Sequence, residues 1–352
     1  MSGCATNLTN RDMGKVITFG ELMLKLSPPT YKRLIQAHQL NVEYSGAEAN
    51  VAVCLANFGL AVSFVTAVPD NVLGDAAINA LRHYGVDVSK IIRKDGRIGI
   101  YFSEKGASQR PSKVIYDRKD SAIALATEAD FDWDSIFHDA TWFHFTGITP
   151  ALSDDAATLC LAACKAAKDK GLTISCDLNY RSKLWNKEKA NNVMTELCQY
   201  VDICIANEAD AADVFGIKAE ESDVDKGILN EQSYISVAQQ LQKKFGFKQV
   251  AITLRESISA SDNNWSAILL DDNRIYTSHK YPIHIVDRIG GGDSFGAGLI
   301  YAMMIGFDPQ HALEFAVAAS CLKQTIEGDF NLVTVGEVES LVKGNHSGRI
   351  SR

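Results

Sequence analysis

The sequence predicts an α/β fold built on a central, mostly parallel sheet, with a second and smaller β-sheet attached to it. Short apolar segments alternate along the chain with amphipathic helical segments. The apolar segments are continuous, as in parallel strands that are buried on both faces. Two further segments, residues 34–45 and 97–118, lack helical periodicity and have the character of extended hairpins.

The elements of the core follow one another in a regular order. The predicted strands cover residues 15–19, 62–68, 141–145, 172–176, 202–205 and 249–254. The predicted helices cover residues 50–58, 75–84, 154–170, 187–200 and 311–325, together with a helical run that starts near residue 295. Gly59 and Gly85 follow the first two helices, in the position where helices commonly end.

The hairpins divide the chain into a core and a lid. The core is predicted at residues 13–33, 50–94 and 121–345, and the lid at 34–49 and 95–120. In the second hairpin the residues alternate with a period of two, so one face is buried and the other faces solvent or ligand. Tyr101, Tyr116 and Arg118 favour a lid, a dimer surface or both, although a purely decorative hairpin is the alternative.

Other segments are predicted to lack regular structure. Residues 216–233 are rich in Glu, Asp and Lys and are predicted to be a solvated insertion, and residues 257–264 are predicted to be a polar loop. Residues 1–12 and 346–352 are predicted to be disordered tails. The sequence leaves open whether Met1 or Met13 is the natural start.

Composition excludes several classes of function. The chain has 352 residues, of which 46% are hydrophobic and 22% charged, as in ordinary globular proteins. A net charge of −8 argues against a nucleic-acid surface, and no apolar run is long enough to span a membrane. Eight scattered cysteines without a C-x-x-C motif predict reduced, buried thiols in a cytoplasmic protein. Cys160 and Cys164 lie one helical turn apart, but no histidine is near them to complete a metal site.

The most specific segment is residues 286–298, which read Val-Asp-Arg-Ile-Gly-Gly-Gly-Asp-Ser-Phe-Gly-Ala-Gly. Gly290, Gly291 and Gly292 allow a turn whose backbone comes close to a ligand. Such a turn at the start of a helix directs free N–H groups and the positive end of the helix dipole at an anion, usually phosphate. Asp293, at the junction, could either cap the helix or act as a general base beside the phosphate. The Walker motif is absent, and Phe295 breaks the dinucleotide-binding fingerprint, which disfavours a dehydrogenase.

This segment resembles the second signature of the PfkB, or ribokinase-like, family of sugar kinases. Asp287, Gly290, Gly292 and Asp293 match its D-x-x-G-x-G-D pattern. The first signature of that family is similar to residues 45–50, Ser-Gly-Ala-Glu-Ala-Asn, and the resemblance extends from about residue 16 to residue 342. It implies a ribokinase-like three-layer sandwich with a β lid, ATP as phosphoryl donor, Mg²⁺, and dimers formed through the lids. It also implies that Asp293 is the base and that the glycine amides form the anion hole.

Within the family, several segments look like the 2-keto-3-deoxygluconate kinases. The substrate of such a kinase is a sugar acid, and arginine can bind both oxygens of its carboxylate. Arg118 and Arg181 are the predicted carboxylate ligands, with surface ion pairs as the alternative for each. The full set of predicted substrate-binding residues is Ser45, Gly46, Asn50, Tyr101, Tyr116, Arg118, Asp177, Asn179, Arg181 and Asp329.

The nucleotide and metal sites are predicted from the same resemblance. The predicted nucleotide-binding residues are Asn207, Thr253, Arg255, Gly290, Gly292 and Ala318. Ala318 is predicted instead from its helix, whose small residues would allow a flat ligand such as adenine to pack closely, with tight helix packing as the alternative. Asp210 is predicted to hold Mg²⁺ through water, in a position where the family often has glutamate. Asp287 is predicted to contribute to a monovalent-cation (K⁺) site, with the capping of a turn as the alternative.

The sequence therefore predicts an ATP-dependent kinase that converts 2-keto-3-deoxy-D-gluconate to its 6-phosphate. The alternatives left open are another kinase of the same type, acting on fructose, on a keto-deoxy-galactonate or on a nucleoside, and a non-catalytic sugar-binding protein of the same fold. No nucleic-acid or membrane partner is predicted.

Overall fold

The computed structural model describes residues 14–220 and 230–345. Within these residues the strands are β1 (Lys15–Phe19), β2 (Met23–Ser27), β3 (Asn41–Ser45), β4 (Ala61–Val68), β5 (Ile91–Arg93), β6 (Gly99–Glu104), β7 (Lys113–Asp117), β8 (Ala140–Thr146), β9 (Thr173–Asp177), β10 (Ile203–Asn207), β11 (Gln249–Ser257), β12 (Asp262–Asp271), β13 (Arg274–Thr277) and β14 (Tyr281–His284). The helices are α1 (Ala47–Asn57), α2 (Val72–His83), α3 (Trp133–Ile136), α4 (Asp154–Asp169), α5 (Lys187–Leu197), α6 (Asp210–Phe215), α7 (Glu231–Phe245), α8 (Gly291–Met304), α9 (Pro309–Lys323) and α10 (Val335–Val342). The predicted tails and much of the predicted insertion at 216–233 lie outside the described residues.

The central sheet has the strand order β13-β12-β11-β10-β9-β8-β1-β4-β5. From β11 to β5 every neighbouring pair is parallel, whereas β12 pairs antiparallel with β11, β13 and β14. The antiparallel edge was not predicted: β12 begins at Asp262, inside the loop expected at residues 257–264, and no strand was predicted over the rest of β12, β13 or β14. Since parallel strands end at the same edge of a sheet, Asp177, Asn207 and the residues that follow β1 lie along one rim.

Two apolar cores cover the two faces of this sheet. One contains Val51, Phe295 and Phe315, from α1, α8 and α9. The other contains Leu159 and Leu241, from α4 and α7. The arrangement is the predicted three-layer sandwich. No helix among the described residues is long and apolar enough to cross a membrane. The seven cysteines in the described part of the chain are buried and form no disulfide, while Cys4 lies outside it.

The strands β3-β2-β6-β7 form a separate sheet, which we call the lid sheet. The second hairpin is confirmed as β6 and β7, which pair antiparallel. The predicted position of the first hairpin, residues 34–45, is wrong: it is made by β2 and β3, and residues 34–36 form a short 3₁₀ turn. The lid sheet thus includes residues 23–27, which were expected in the core.

The lid sheet has two chemically different faces. Val42, Leu26, Phe102 and Ile115 lie side by side across its four strands, and Val42 and Ile115 are exposed. The opposite face carries Tyr101, which is 3% exposed. In β6 the face with Tyr101 is therefore the more buried one, because it is turned toward the rim of the central sheet.

Candidate active site

A cavity of about 410 Å³ lies between the rim of the central sheet, the lid sheet and the start of α8. Its walls contain most of the residues predicted from sequence. Those that line it are Ser45, Gly46, Asn50, Tyr101, Tyr116, Arg118, Asp177, Asn179, Arg181, Asn207, Thr253, Arg255, Gly290, Gly291, Gly292, Asp293 and Asp329. Three predicted residues, Ala318, Asp210 and Asp287, do not line it.

The glycine turn is the N-terminus of α8. Gly290 precedes the helix with φ +82°, and a Cβ there would lie 2.0 Å from the carbonyl oxygen of Asp329, so both conformation and space require glycine. The N–H of Gly291 donates to the Arg288 carbonyl at 3.2 Å and is not free for a ligand. The N–H groups of Gly292 and Asp293 donate to no described acceptor, as is usual in a first helical turn. The turn therefore offers free amides and a helix dipole to an anion in the cavity.

Asp293 is half-buried at the junction of the turn and the cavity. Its Oδ2 accepts a hydrogen bond of 2.6 Å from Asn50 Nδ2. Burial, reinforced by the buried Glu48 carboxylate and by Asp329, raises the pKa of Asp293 to about 7, although Asn50 and Arg181 oppose the shift. A carboxylate with this pKa can accept a proton near neutral pH. The Oδ1 of Asn50 is buried and accepts no hydrogen bond from any described residue.

The two arginines predicted to bind a carboxylate differ in their surroundings. Arg118 is buried and paired with buried Glu21, to which its Nε donates at 2.7 Å and its Nη2 also donates. Arg181 is half-buried, donates to its neighbour's carbonyl, that of Tyr180, at 3.1 Å, and forms no ion pair with any described residue. Of these two arginines, Arg181 is thus the one without a carboxylate in direct contact, while Glu21 already matches most of the charge of Arg118.

Asp329 organises one wall of the cavity. It is 4% exposed, and its Oδ1 binds the ammonium of Lys25. Its Oδ2 accepts from the Ser45 hydroxyl at 2.6 Å and from the Tyr101 hydroxyl. These bonds lower the pKa of Asp329 although burial acts against the ionised form. Ser45 and Tyr101 were predicted to contact a substrate, but their hydroxyls are already occupied by each other and by Asp329.

Other cavity residues keep polar groups available. The Tyr116 hydroxyl makes no hydrogen bond with any described residue, and its ring lies 5.9 Å from that of Tyr101. Asn179 has φ +38°, a strained conformation for a residue other than glycine, and its N–H donates to Asp177 Oδ1 at 3.1 Å. Burial, followed by repulsion from Asp210 and Asp293, raises the pKa of Asp177. A cation in the cavity would relieve this repulsion.

Arg255 and Arg288 also line the cavity, in what we call its positively charged wall. Arg255 pairs with Glu208, with 2.7 Å between Nη2 and Oε1. Arg288 donates to the Ala260 carbonyl, and burial and the nearby Arg255 lower its pKa. Sequence reasoning assigned no role to Arg288, although it stands inside the glycine signature. It also missed Asn263 and Trp265, which line the cavity from β12: Asn263 lies in the predicted loop at residues 257–264, and no strand was predicted at Trp265.

Three predicted assignments conflict with the structure. Ala318 is fully buried in the core between α8 and α9, so the alternative of helix packing is correct. Asp210 is 2% exposed, and its two oxygens accept the N–H groups of Tyr180 and Asn207, which argues against a metal role. Asp287 lies behind the turn, where its oxygens accept the N–H groups of Ile289 and Gly328 at 3.3 Å. No group of three or more potential metal ligands occurs in residues 14–220 and 230–345.

The chain matches the pfkB family of carbohydrate kinases over residues 13–331. The 2-dehydro-3-deoxygalactonokinase of Haloferax volcanii is 34% identical to it, with 95% of this chain and 98% of the relative covered. The 2-dehydro-3-deoxygluconokinase of Bacillus subtilis is 30% identical, with 90% and 91% covered. The crystal structure of 2-dehydro-3-deoxygluconokinase from Thermotoga maritima superposes with a TM-score of 0.91 at 52% identity, covering 94% of this chain and 99% of that one. The ribokinase-like fold predicted from the resemblance is confirmed.

Proposed function

Because the chain belongs to the pfkB family of carbohydrate kinases, we propose that it transfers the γ-phosphoryl group of ATP to the terminal hydroxyl of 2-keto-3-deoxy-D-gluconate. The observation that carries this proposal is the juxtaposition of three groups in one cavity. These are the free amides at the start of α8, the Asp293 carboxylate and the unpaired guanidinium of Arg181. A phosphoryl acceptor that carries a carboxylate requires all three.

Asp293 acts as the base in this proposal. As the oxygen of the acceptor alcohol forms its bond to phosphorus, the bond from phosphorus to the oxygen of ADP breaks, and the alcohol proton moves to Asp293. Asn50 holds the Asp293 carboxylate in place through their 2.6 Å hydrogen bond. The amides of Gly292 and Asp293 and the dipole of α8 stabilise the charge on the transferring group.

The sugar acid lies under the lid sheet in this proposal. Arg181 binds the substrate carboxylate, with a remaining N–H of Arg118 as a second donor. The free Oδ1 of Asn50 and the hydroxyl of Tyr116 are the groups available to the hydroxyls of the sugar. Asp329 acts indirectly, because it fixes Ser45 and Tyr101 in the wall. The lid sheet excludes water that would otherwise hydrolyse ATP. The exposed side chains of Val42 and Ile115 on its apolar face support the predicted dimer through the lids.

ATP lies along the positively charged wall in this proposal. Arg255 and Arg288 are close enough to repel each other, and phosphate oxygens would relieve that repulsion. Asn207, Thr253 and Asn263 line the same wall. Mg²⁺ commonly binds phosphate oxygens and water with one or two carboxylates, and Asp177 and Glu208, which line the cavity, are the carboxylates that we assign to it. When bound, Mg²⁺ would neutralise phosphate charge.

An acceptor panel tests the proposed substrate. ADP release is measured with 2-keto-3-deoxygluconate, 2-keto-3-deoxygalactonate, fructose and a nucleoside. We expect kcat/KM for both keto acids to exceed that for fructose and the nucleoside by roughly ten- to hundredfold, because a charge-assisted carboxylate contact contributes about 1.5–3 kcal/mol. Of the two acids we expect the gluconate-derived one to be preferred, because the Thermotoga maritima 2-dehydro-3-deoxygluconokinase is 52% identical to this chain. A preference for the galactonate-derived acid would transfer the assignment to the activity named for the Haloferax relative. No ADP release with any acceptor would favour a non-catalytic sugar-binding protein.

A pair of glycine variants tests the role of the turn. Gly290→Ala is expected to lower the melting temperature, because the strained φ alone costs about 1–3 kcal/mol and the new Cβ meets the Asp329 carbonyl. Gly292→Ala is expected to leave stability unchanged, since its Cβ would meet no atom within 4 Å. Its methyl group would instead occupy cavity space, and we expect kcat/KM for ATP to fall about tenfold or more. Wild-type kinetics in Gly292→Ala would contradict phosphate binding at the turn.

A further inference from the structure

The side chain of Lys323, the last residue of α9, is fully buried behind the glycine turn. Its Nζ donates to two main-chain carbonyls, that of Asp287 at 3.2 Å and that of Gly328 at 2.7 Å. Burial lowers the pKa of Lys323, while the carboxylates of Asp287 and Asp329 act in the opposite direction. A buried ammonium is costly unless it has such partners, so its position calls for an explanation.

The surroundings of this ammonium are those of a monovalent cation. Main-chain carbonyl oxygens are the ligands that bind K⁺ in proteins, and a carboxylate supplies the balancing charge. The sequence resemblance predicted such a cation beside Asp287. The residues present do not fit a bound K⁺, because the ammonium of Lys323 already takes the carbonyls of Asp287 and Gly328.

Lys323 also joins the two chain segments that build the active site. If Gly290 carried a Cβ, that atom would lie 3.3 Å from Cε of Lys323, so the lysine stem runs directly against the turn. On the other side, Gly328 precedes Asp329, the residue that holds Ser45 and Tyr101 in the cavity wall. The two segments are further tied together by a 3.3 Å hydrogen bond from the Gly328 N–H to Asp287 Oδ2.

The neighbouring carboxylates outnumber the two lysines that pair with them, because Lys25 also binds Glu43 and Lys105 also binds Glu327. Asp287 and Asp329 are both buried, and Lys25 approaches each of them, at 3.8 Å and 2.5 Å. Lys105 lies 3.8 Å from Asp287 as well. Lys25 and Lys105 thus meet the carboxylate oxygens, whereas Lys323 meets the main-chain carbonyls.

We infer that the ammonium of Lys323 is a built-in substitute for a monovalent cation, which holds the anion-binding turn in position and makes the protein independent of K⁺. Lys323 is a positioning residue, since it acts through the turn at Gly290. The turnover measurements that test this inference rest on the proposed function. The stability measurements rest only on the contacts of Lys323 with the two carbonyls.

The test compares cations in the wild type and in Lys323→Ala. KCl, NH₄Cl and tetramethylammonium chloride are used at equal ionic strength, and ADP is measured directly by chromatography because coupling enzymes can respond to K⁺. We expect the same wild-type turnover and melting temperature in all three salts. In tetramethylammonium, Lys323→Ala should lose turnover by roughly 10²-fold, because the turn is displaced. K⁺ or NH₄⁺, which fit the vacated site, should restore part of the turnover and raise the melting temperature without substrates.

Two further variants make the result specific. Lys323→Met fills the volume without a charge and should not be rescued by any cation. Lys343→Ala removes an exposed lysine, with a side chain 71% exposed, and should behave as the wild type in every salt.

Several outcomes would overturn the inference. The first is that the wild type needs K⁺ for full turnover or stability. The second is that Lys323→Ala is fully active. The third is that Lys323→Ala has low turnover and that no cation changes its turnover or its melting temperature. If neither Lys323 variant folds, the cation dependence of the wild type decides alone. If the wild type phosphorylates no acceptor, the proposed function fails, while thermal unfolding still tests the role of Lys323.

Discussion

Asp293→Asn is expected to lower kcat by about 10²–10⁴-fold, the usual contribution of a positioned general base. Asparagine keeps the size of the side chain and can still pair with Asn50, so the cavity should keep its shape. It cannot accept the proton of the acceptor alcohol. Isothermal titration should therefore show nearly unchanged affinities for ATP and the keto acid, while single-turnover measurements show the loss.

The pH dependence of the wild type gives an independent signature of Asp293. The base works as the carboxylate, and burial raises its pKa to about 7. Turnover should therefore fall about tenfold per pH unit below pH 7 and level off above it. The residual turnover of Asp293→Asn should lack this inflection.

A matched control is Asp154→Asn, which removes an exposed carboxylate from the first turn of α4. It should leave turnover and its pH profile unchanged. Normal turnover in Asp293→Asn would remove this residue from the mechanism, and the alternative of a simple helix cap would then stand.

Arg181→Ala is expected to raise KM for the keto acid by roughly ten- to hundredfold, with little change in KM for ATP. The reason is that a hydrogen bond between charged partners contributes about 1.5–3 kcal/mol. Arg181 has no ion-pair partner among the described residues that would compete with the substrate carboxylate for its guanidinium. Steady-state kinetics should be measured well above pH 7. The positive charge of Arg181 lowers the pKa of Asp293, so its removal also moves the inflection to higher pH.

Arg82→Ala is the control for Arg181, since Arg82 lies on the exposed face of α2 and bonds to Asn79. It should not change either Michaelis constant. Equal increases in KM for the keto acid and for ATP in Arg181→Ala would mean that this arginine supports the structure of the cavity and does not bind the carboxylate.

Much of the site could be predicted because it depends on local chemistry. The run of glycines before a helix allows the left-handed turn at Gly290, and Asp293 must then stand at the junction with α8. The positions of Asp177 and Asn207 in the site could be predicted because parallel strands present their carboxyl ends at one rim of the sheet.

Other predicted residues have partners in the structure that the sequence did not show. Arg118 was predicted to bind the substrate carboxylate, with an ion pair as the alternative, and Glu21, 97 positions earlier, already pairs with it. The hydroxyls of Ser45 and Tyr101 bond to Asp329, which lies 284 residues after Ser45 and 228 residues after Tyr101 in the sequence. The period of a strand shows which side chains share a face, but it does not show which distant side chain lies opposite. The predicted role of Ala318 in nucleotide binding was wrong, because small residues suit a bound ligand and a packed helix equally well.

The sequence by itself determined the three-layer fold, the glycine turn and the carboxylate beside it, since backbone freedom, strand periodicity and helix ends are properties of neighbouring residues. Only the tertiary structure decided which charges are already matched, namely Arg118 by Glu21 and Asp329 by Lys25. It also decided that Arg181 and Arg288 line the cavity without an ion pair to any described residue. It also decided that the ammonium of Lys323 lies where a cation was expected. The physical reason is that the energy of a buried charge depends on partners brought together from distant parts of the chain.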